Sequence, residues 1–171
     1  MELAKFLKEH TARRTIRPSK SPYAAPFFFI KKKNGKLCPV QDYRPVNLWT
    51  IKNRYLLPLI LQLIDWLHKC TLFTGFDIKW GYNKVCIKDS NQWKAAFITN
   101  EGLYELMVMF FGLTNSPATF QTIMNTIFCD LIDKGNVMIY MDNIAIYTAP
   151  QEGKTDNQHV TRHWELVRQA L

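Results

Sequence analysis

The sequence predicts an α+β fold in which a mixed sheet is backed by helices. Three stretches carry this expectation. Val137 to Tyr147 sets two apolar, β-favouring runs around a polar pair, Asp142-Asn143, and reads as a hairpin that lifts a carboxylate to its tip. Leu72 to Ile78 is another apolar strand, and it too ends in a lone acid, Asp77. Between them, Ser116-Pro117 starts a helix as an N-cap serine with proline at the first helical position. This helix carries Phe120, Ile123, Met124, Ile127, Phe128 and Leu131 on one face and runs to about Gly135. Such an order lets one sheet bring Asp77 and Asp142 together although 142 − 77 = 65 positions separate them.

The remaining elements follow from the same signals. Leu3, Phe6 and Leu7 suit a short N-terminal helix, which gives way at Arg17-Pro18-Ser19-Lys20-Ser21-Pro22 to an extended, basic lead-in. Phe27 to Lys33 and Leu37 to Gln41 form strands joined by the two-residue turn Asn34-Gly35, giving a small β-rich lobe from Pro26 to Asn47. Leu59 to Trp66 is helical behind Pro58. Val85 to Lys88, Trp93 to Thr99 and Leu103 to Val108 are further strands, the last two linked at Asn100-Glu101-Gly102. A polar loop from Ala149 to Asn157 leads to a final helix around Trp164 and Val167.

Composition narrows the function classes. The 171 residues suffice for one domain or two small lobes, and 47% hydrophobic content excludes a disordered chain. Twenty-two Lys and Arg against 14 acids give a net charge of +8, which suits a polyanionic partner. Cys38, Cys70, Cys86 and Cys129 form no CxxC pair, so neither a disulfide framework nor a zinc knuckle is indicated. His159 and His163 lie four apart with no cysteine nearby, poor grounds for a metal site. No signal-peptide core follows Met1, and the greasy run Leu56 to Leu67 is too short to span a bilayer, so an intracellular, membrane-free protein is expected.

An Asp-Asn pair at a turn is ordinary turn chemistry when it stands alone. A second acid at a neighbouring strand end changes the reading. Paired carboxylates in a basic protein suit Mg²⁺, which takes one or two carboxylates and completes its shell with substrate phosphates. The matching chemistry is phosphoryl transfer with paired metal ions. Glycoside hydrolysis also uses two acids, but gives no reason for the basic surface. No G-x-S-x-G, Walker loop or G-x-G-x-x-G is present.

Six segments, taken in order, resemble the reverse transcriptase domain of gypsy-type LTR retrotransposons. They are Phe29 to Leu37, Asp42 to Asn47, Thr50 to Tyr55, Phe76 to Asn83, Phe110 to Gln121 and Tyr140 to Asn143. The resemblance implies the fingers and palm of a right-hand polymerase, with an antiparallel or mixed palm sheet. Fingers would be about 1–70 and 85–112, and palm about 71–84 and 113–171. It further implies that Asp77 and Asp142 bind two Mg²⁺ ions, with Mn²⁺ as a substitute, and that Asn143 completes the catalytic set. Lys33, Cys38, Ile78, Tyr82, Phe111 and Gly112 would meet a deoxynucleoside triphosphate, Tyr82 by lying under its sugar and rejecting a ribose 2′-hydroxyl. Arg44, Asn47, Ser116, Pro117, Gln121 and Met141 would meet the RNA or DNA template-primer. Taken alone, a lone Tyr is a packing residue and a lysine run a solvated face.

Departures from the family pattern open a second reading. Asn143 stands where the family has a second aspartate. A unit charge about 4 Å from a cation is worth roughly 4 kcal/mol at an effective dielectric of 20, an upper figure for the loss. Felt in full in the transition state, that is about a thousandfold in rate. Cys38 replaces an arginine that clasps the triphosphate, and a thiol has neither its charge nor its fork of donors. Cys86 and Cys129 also stand at frequent arginine positions, and Leu56 at a frequent proline. All these changes can arise by C-to-T or G-to-A transitions, the pattern of a copy decayed by cytosine deamination. The expected thumb, primer-gripping segment and RNase H domain are missing from the 171 residues. The sequence therefore leaves three readings: an RNA-directed DNA polymerase domain, a catalytically inactive nucleic-acid-binding relic, and a poorly folding fragment.

Overall fold

The computed structural model describes residues 2–55 and 60–171. The expectations placed on Leu56, Pro58 and Leu59 lie outside the described residues. Packing divides the chain into two compact units, Met1–Lys52 with Trp80–Ser116, and Asn53–Lys79 with Pro117–Leu171. The chain thus leaves the first unit, enters the second, and does both again.

The first unit is built on a five-stranded mixed sheet. Its elements are α1 (Glu2–Ala12), β1 (Ile16–Pro18), β2 (Ala25–Lys31), β3 (Leu37–Gln41), α2 (Arg44–Trp49), a 3₁₀ turn (Tyr82–Lys84), α3 (Asp89–Gln92), a second 3₁₀ turn (Trp93–Ala95), β4 (Ala96–Thr99) and β5 (Gly102–Leu106). The strand order is β1-β5-β4-β2-β3, with β2 and β4 parallel and the other pairs antiparallel. Phe6 and Leu7 of α1 pack with Ile16, Ala25, Tyr43, Phe97 and Leu106 in one core.

Four expectations need correcting here. The lead-in Arg17 to Pro22 begins as edge strand β1, a place where Pro18 costs no ladder bond. The β2–β3 hairpin does not close on Asn34-Gly35 alone. Lys31 pairs with Leu37, the Lys32 amide donates to the Lys36 carbonyl, and Gly35 takes φ +79°, the left-handed position of a three-residue loop. Val85 to Lys88 makes only the isolated bridge Cys86–Val108 before α3 begins. Trp93 to Ala95 is helical because side chains bind the preceding turn: Gln92 Nε2 donates to the Ile87 carbonyl and Trp93 Nε1 to that of Ser90.

The second unit has a three-stranded antiparallel sheet with helices behind it. It comprises α4 (Ile60–Leu67), β6 (Leu72–Asp77), α5 (Ser116–Ile127, whose first residue belongs to the other unit), α6 (Cys129–Asp133), β7 (Val137–Tyr140), β8 (Asn143–Thr148) and α7 (Asp156–Ala170). The order is β6-β8-β7. Alternation sends Val137, Ile139, Ile144 and Ile146 into the core. The other face carries Asp77, Asn143 and Tyr140 in one row across the sheet, with Phe73 56% exposed further along. The single helix expected from Ser116 to Gly135 is broken at Phe128. Thr122 and Thr126 bond back to the carbonyls of Ala118 and Thr122, a habit that bends helices just before this point.

α7 starts with a full capping box, in which Thr155 and Gln158 exchange side-chain and backbone bonds. His159 and His163 lie on its inner face, within hydrogen-bond distance of threonine hydroxyls. Thr148 Oγ1 lies 3.0 Å from His159 Nε2 and 3.1 Å from His163 Nδ1, and Thr74 Oγ1 lies 2.8 Å from His163 Nε2.

Candidate active site

Asp77 is the last residue of β6, and its strand partner is Asn143, the first residue of β8. Asn143 in turn pairs with Tyr140, so the connecting turn is Met141-Asp142. The hairpin therefore turns one residue earlier than the sequence suggests. Asp142, not Asn143, sits in the two-residue loop. The Ile78 amide donates to the Asp142 carbonyl at 2.9 Å, extending the β6–β8 pairing around the end of the sheet. The two acids are thus brought to the same sheet end, as the sequence reading required.

Three features hold this turn. Met141 has φ +56°, a left-handed conformation that suits the first position of a tight hairpin turn but disfavours a side chain. Its amide donates to Gln121 Oε1 at 2.7 Å. Gln121 Nε2 donates to the Ile139 carbonyl at 3.0 Å and to Asn125 Oδ1 at 2.8 Å. Gln121 is fully buried. The resemblance assigns it to the template-primer group; here its whole side chain is spent bracing the hairpin from α5. Sequence reasoning had the residue but not this role, because nothing in a linear pattern says which backbone groups a helix glutamine will meet.

Asp77 and Asn143 are exposed, and Asp142 and Met141 are half-buried. Among the described residues no group of three or more His, Cys, Asp and Glu is placed to hold a metal. The donor set is two carboxylates with an amide beside them, which matches the one or two protein carboxylates that Mg²⁺ takes when phosphates complete its shell. A cleft of about 390 Å³ lies at the other end of this sheet, against Trp66, Cys70, Val137, Tyr147 and Arg162, away from the acids.

The other predicted residues lie in the first unit, apart from Ile78 and Pro117. Asn47 clamps the segment after Phe111: its Nδ2 donates to the Gly112 carbonyl at 2.7 Å, and the Thr114 amide donates to its Oδ1 at 2.9 Å. Gly112 has φ +99°, which a side chain would strain, while a Cβ there would meet nothing closer than 3.6 Å. Tyr82 is buried, its ring edge-on to Phe111 at 5.0 Å, and Phe111 itself is exposed. The Ser116 hydroxyl donates to the Phe110 carbonyl at 3.2 Å. Beneath this segment the buried Tyr43 hydroxyl donates to the Ala95 carbonyl. Sequence reading passed over Tyr43 inside its motif, since a tyrosine's burial leaves no local signal.

Arg44 is exposed yet paired. Its Nε and an Nη meet Asp42 at 2.8 and 2.6 Å, and this fork holds the Asp42 carboxyl down at about 2. Lys33 stands on the exposed β2–β3 loop, and Cys38 is half-buried in β3 opposite Ile30. Charge is divided sharply between the units. The first holds 15 Lys and Arg against 6 acids, +9; the second holds 7 against 8, −1. The whole positive balance lies with the unit that carries Lys33, Arg44 and Asn47.

The family model for reverse transcriptase (RNA-dependent DNA polymerase) matches residues 30–171. The chain belongs to the reverse transcriptase family. The Tf2-7 and Tf2-3 transposon polyproteins of Schizosaccharomyces pombe (strain 972 / ATCC 24843) are 38% and 37% identical to it over 156 residues, 91% of this chain. The chain spans 11% of the length of these curated relatives. These matches agree with a retrotransposon reverse transcriptase of the gypsy type. Two solved structures share the fold. A foamy viral protease–reverse transcriptase in complex with double-stranded DNA has a TM-score of 0.83 at 20% identity, covering 98% of this chain and 28% of that one. The same kind of enzyme with an RNA/DNA hybrid has 0.76 at 19%, covering 97% and 21%. The α+β reading is thereby borne out as a reverse transcriptase fingers-and-palm fold. No described helix is long and apolar enough to cross a membrane.

Proposed function

We propose that this reverse transcriptase domain catalyses nucleotidyl transfer onto a primed RNA or DNA template, with Asp77 and Asp142 as its catalytic carboxylates. The observation that carries the reading is their convergence at one sheet end, fixed by the Ile78–Asp142 backbone bond and the Asp77–Asn143 pairing. In this reading the fingers are about 1–70 and 85–112 and the palm about 71–84 and 113–171. Two Mg²⁺ ions, when bound, would supply charge neutralisation at the reacting phosphate and a more acidic primer hydroxyl.

The chain's own residues do the positioning. Asp77 and Asp142 would hold the ions through carboxylate oxygens, and Gln121 keeps Asp142 aimed by fixing the Met141 amide. Asn143 offers an amide oxygen without charge. Tyr82, steadied by Phe111, forms a wall that excludes a ribose 2′-hydroxyl and so favours deoxynucleotides. Gly112, held in its left-handed conformation by Asn47, lets the backbone come close to a nucleotide or template. Lys33, on an open loop, takes the triphosphate as a point charge. The likeness to enzymes solved with DNA and with an RNA/DNA hybrid supports a template-primer as partner.

Primer extension tests the assignment. Extension in Mg²⁺ or Mn²⁺ that is lost in Asp77→Asn and in Asp142→Asn supports it; extension unchanged in either variant refutes it. Asn143 beside Asp77, and Cys38 in the fingers hairpin, favour one rival, an inactive nucleic-acid-binding relic. Activity found only in the Cys38→Arg/Asn143→Asp double variant would decide for that rival.

A further inference from the structure

We propose that Trp49, flanked by Leu48 and Ile51, is a stacking platform for an unpaired base of single-stranded nucleic acid. This rests on the polymerase reading above and names a further contact for its template.

The first argument is exposure. Trp49 is 90% exposed, Leu48 82% and Ile51 92%. Single apolar side chains scattered over a surface need no explanation, but three within four positions form a patch. A bare indole is the costliest of them to leave in water.

The second argument is rigidity. This patch is not a frayed loop. The Asn47 amide donates to the Tyr43 carbonyl, and Thr50 Oγ1 donates to that of Val46 at 2.8 Å. Asn115 Nδ2 donates to the Ile51 carbonyl at 2.9 Å. With the Asn47 clamp on residues 112–114, the backbone on either side of Trp49 is fixed. An indole held outward on a pinned backbone loses little freedom when a flat partner covers it.

The third argument is charge. Beyond the mutually neutralising Arg44–Asp42 pair, the sequence as far as Ile64 carries Lys52 and Arg54 and no acid. The unit that presents the patch holds +9. Greasy and cationic together describe a surface for a polyanion with aromatic faces, which is a single strand with its bases unstacked. A duplex hides those faces and would gain only from the charge.

The test is equilibrium binding of a fluorescent oligothymidylate to the 171-residue chain, with no nucleotide and no turnover. Trp49→Ala should weaken binding about tenfold, within the range of one stacked base. Trp49→Phe should keep most of the affinity. Neither variant should change binding of a blunt duplex of equal phosphate number, and the thermal midpoint should not move. Tryptophan emission quenched by the oligonucleotide should shrink in Trp49→Phe. Equal oligothymidylate affinity in wild type and Trp49→Ala overturns the proposal, as does a wild type that binds no oligothymidylate. Wild-type dimers that Trp49→Ala turns into monomers would give the patch to a second copy instead. The two readings fail separately: Trp49-dependent binding without extension would sink only the polymerase, and extension with no Trp49 dependence only the platform.

Discussion

Replacing Gln121 by Met, its closest apolar match in shape, should loosen the Asp142 hairpin without opening a cavity. In the native fold this side chain accepts from the Met141 amide and donates to the Ile139 carbonyl and to Asn125. Methionine fills the volume and makes none of these bonds. The Met141 amide, half-buried in a tight turn, then loses its partner, at about 1–3 kcal/mol. The Ile139 carbonyl loses one donor, nearer 1 kcal/mol. A net cost of about 2–3 kcal/mol follows, or roughly 5–10 °C in thermal midpoint for a chain of this size. Activity should fall further than stability: at a temperature where the variant is fully folded, kcat should drop about tenfold or more with little change in nucleotide KM, because the effect falls on Asp142 rather than on nucleotide contacts. A thermal melt and steady-state primer extension measure the two quantities. A midpoint shift under about 1 °C would refute the bracing argument. A matched loss in nucleotide affinity with kcat intact would return Gln121 to direct substrate contact.

Other outcomes can be checked alongside it. Met141→Val should destabilise the chain by about 1–2 kcal/mol in urea, because a β-branched residue tolerates φ +56° worse than methionine, whereas Met141→Gly should be near neutral. Gly112→Ala should cost about 1 kcal/mol from its backbone angle alone, since its Cβ has room; an unchanged urea midpoint would contradict that. His163 is held below its ordinary value of 6.5, first by burial and then by His159, so the folded state resists protonation. Its contribution to stability is complete above 6.5 and is lost as pH falls from there toward the lower folded value. Melts from neutral pH down to about pH 5 should show that loss in wild type and a flatter profile in His163→Gln.

The sequence spelled out the elements of the second unit better than those of the first. β6, β7 and β8 are short, apolar and closed by obvious turns, so the sequence pattern alone sets Asp77 and Asp142 at strand ends. The turn register was missed because Asp-Asn looks like better turn chemistry than Met-Asp; the Gln121 bond and the β6 pairing outweigh that preference from outside the hairpin. Val85 to Lys88 and Trp93 to Ala95 have strand composition, but the polar run from Asp89 to Gln92 winds the chain through side-chain bonds that no alternation rule registers. Tyr82, Asn47 and Gly112 were placed by resemblance alone. Their interplay is built from contacts between residues 29 and 65 positions apart, which a linear pattern cannot carry.

The two-residue link between β7 and β8 leaves the chain no slack. One extra or missing residue in either strand would invert every side chain beyond it, sending Asp142 or its neighbours toward the interior and Ile144 and Ile146 into water. A substitution at this place leaves the pairing register as it is, whereas an insertion or a deletion cannot. Relatives of this chain should therefore keep a constant spacing from Val137 to Thr148 even where the residues at 142 and 143 differ.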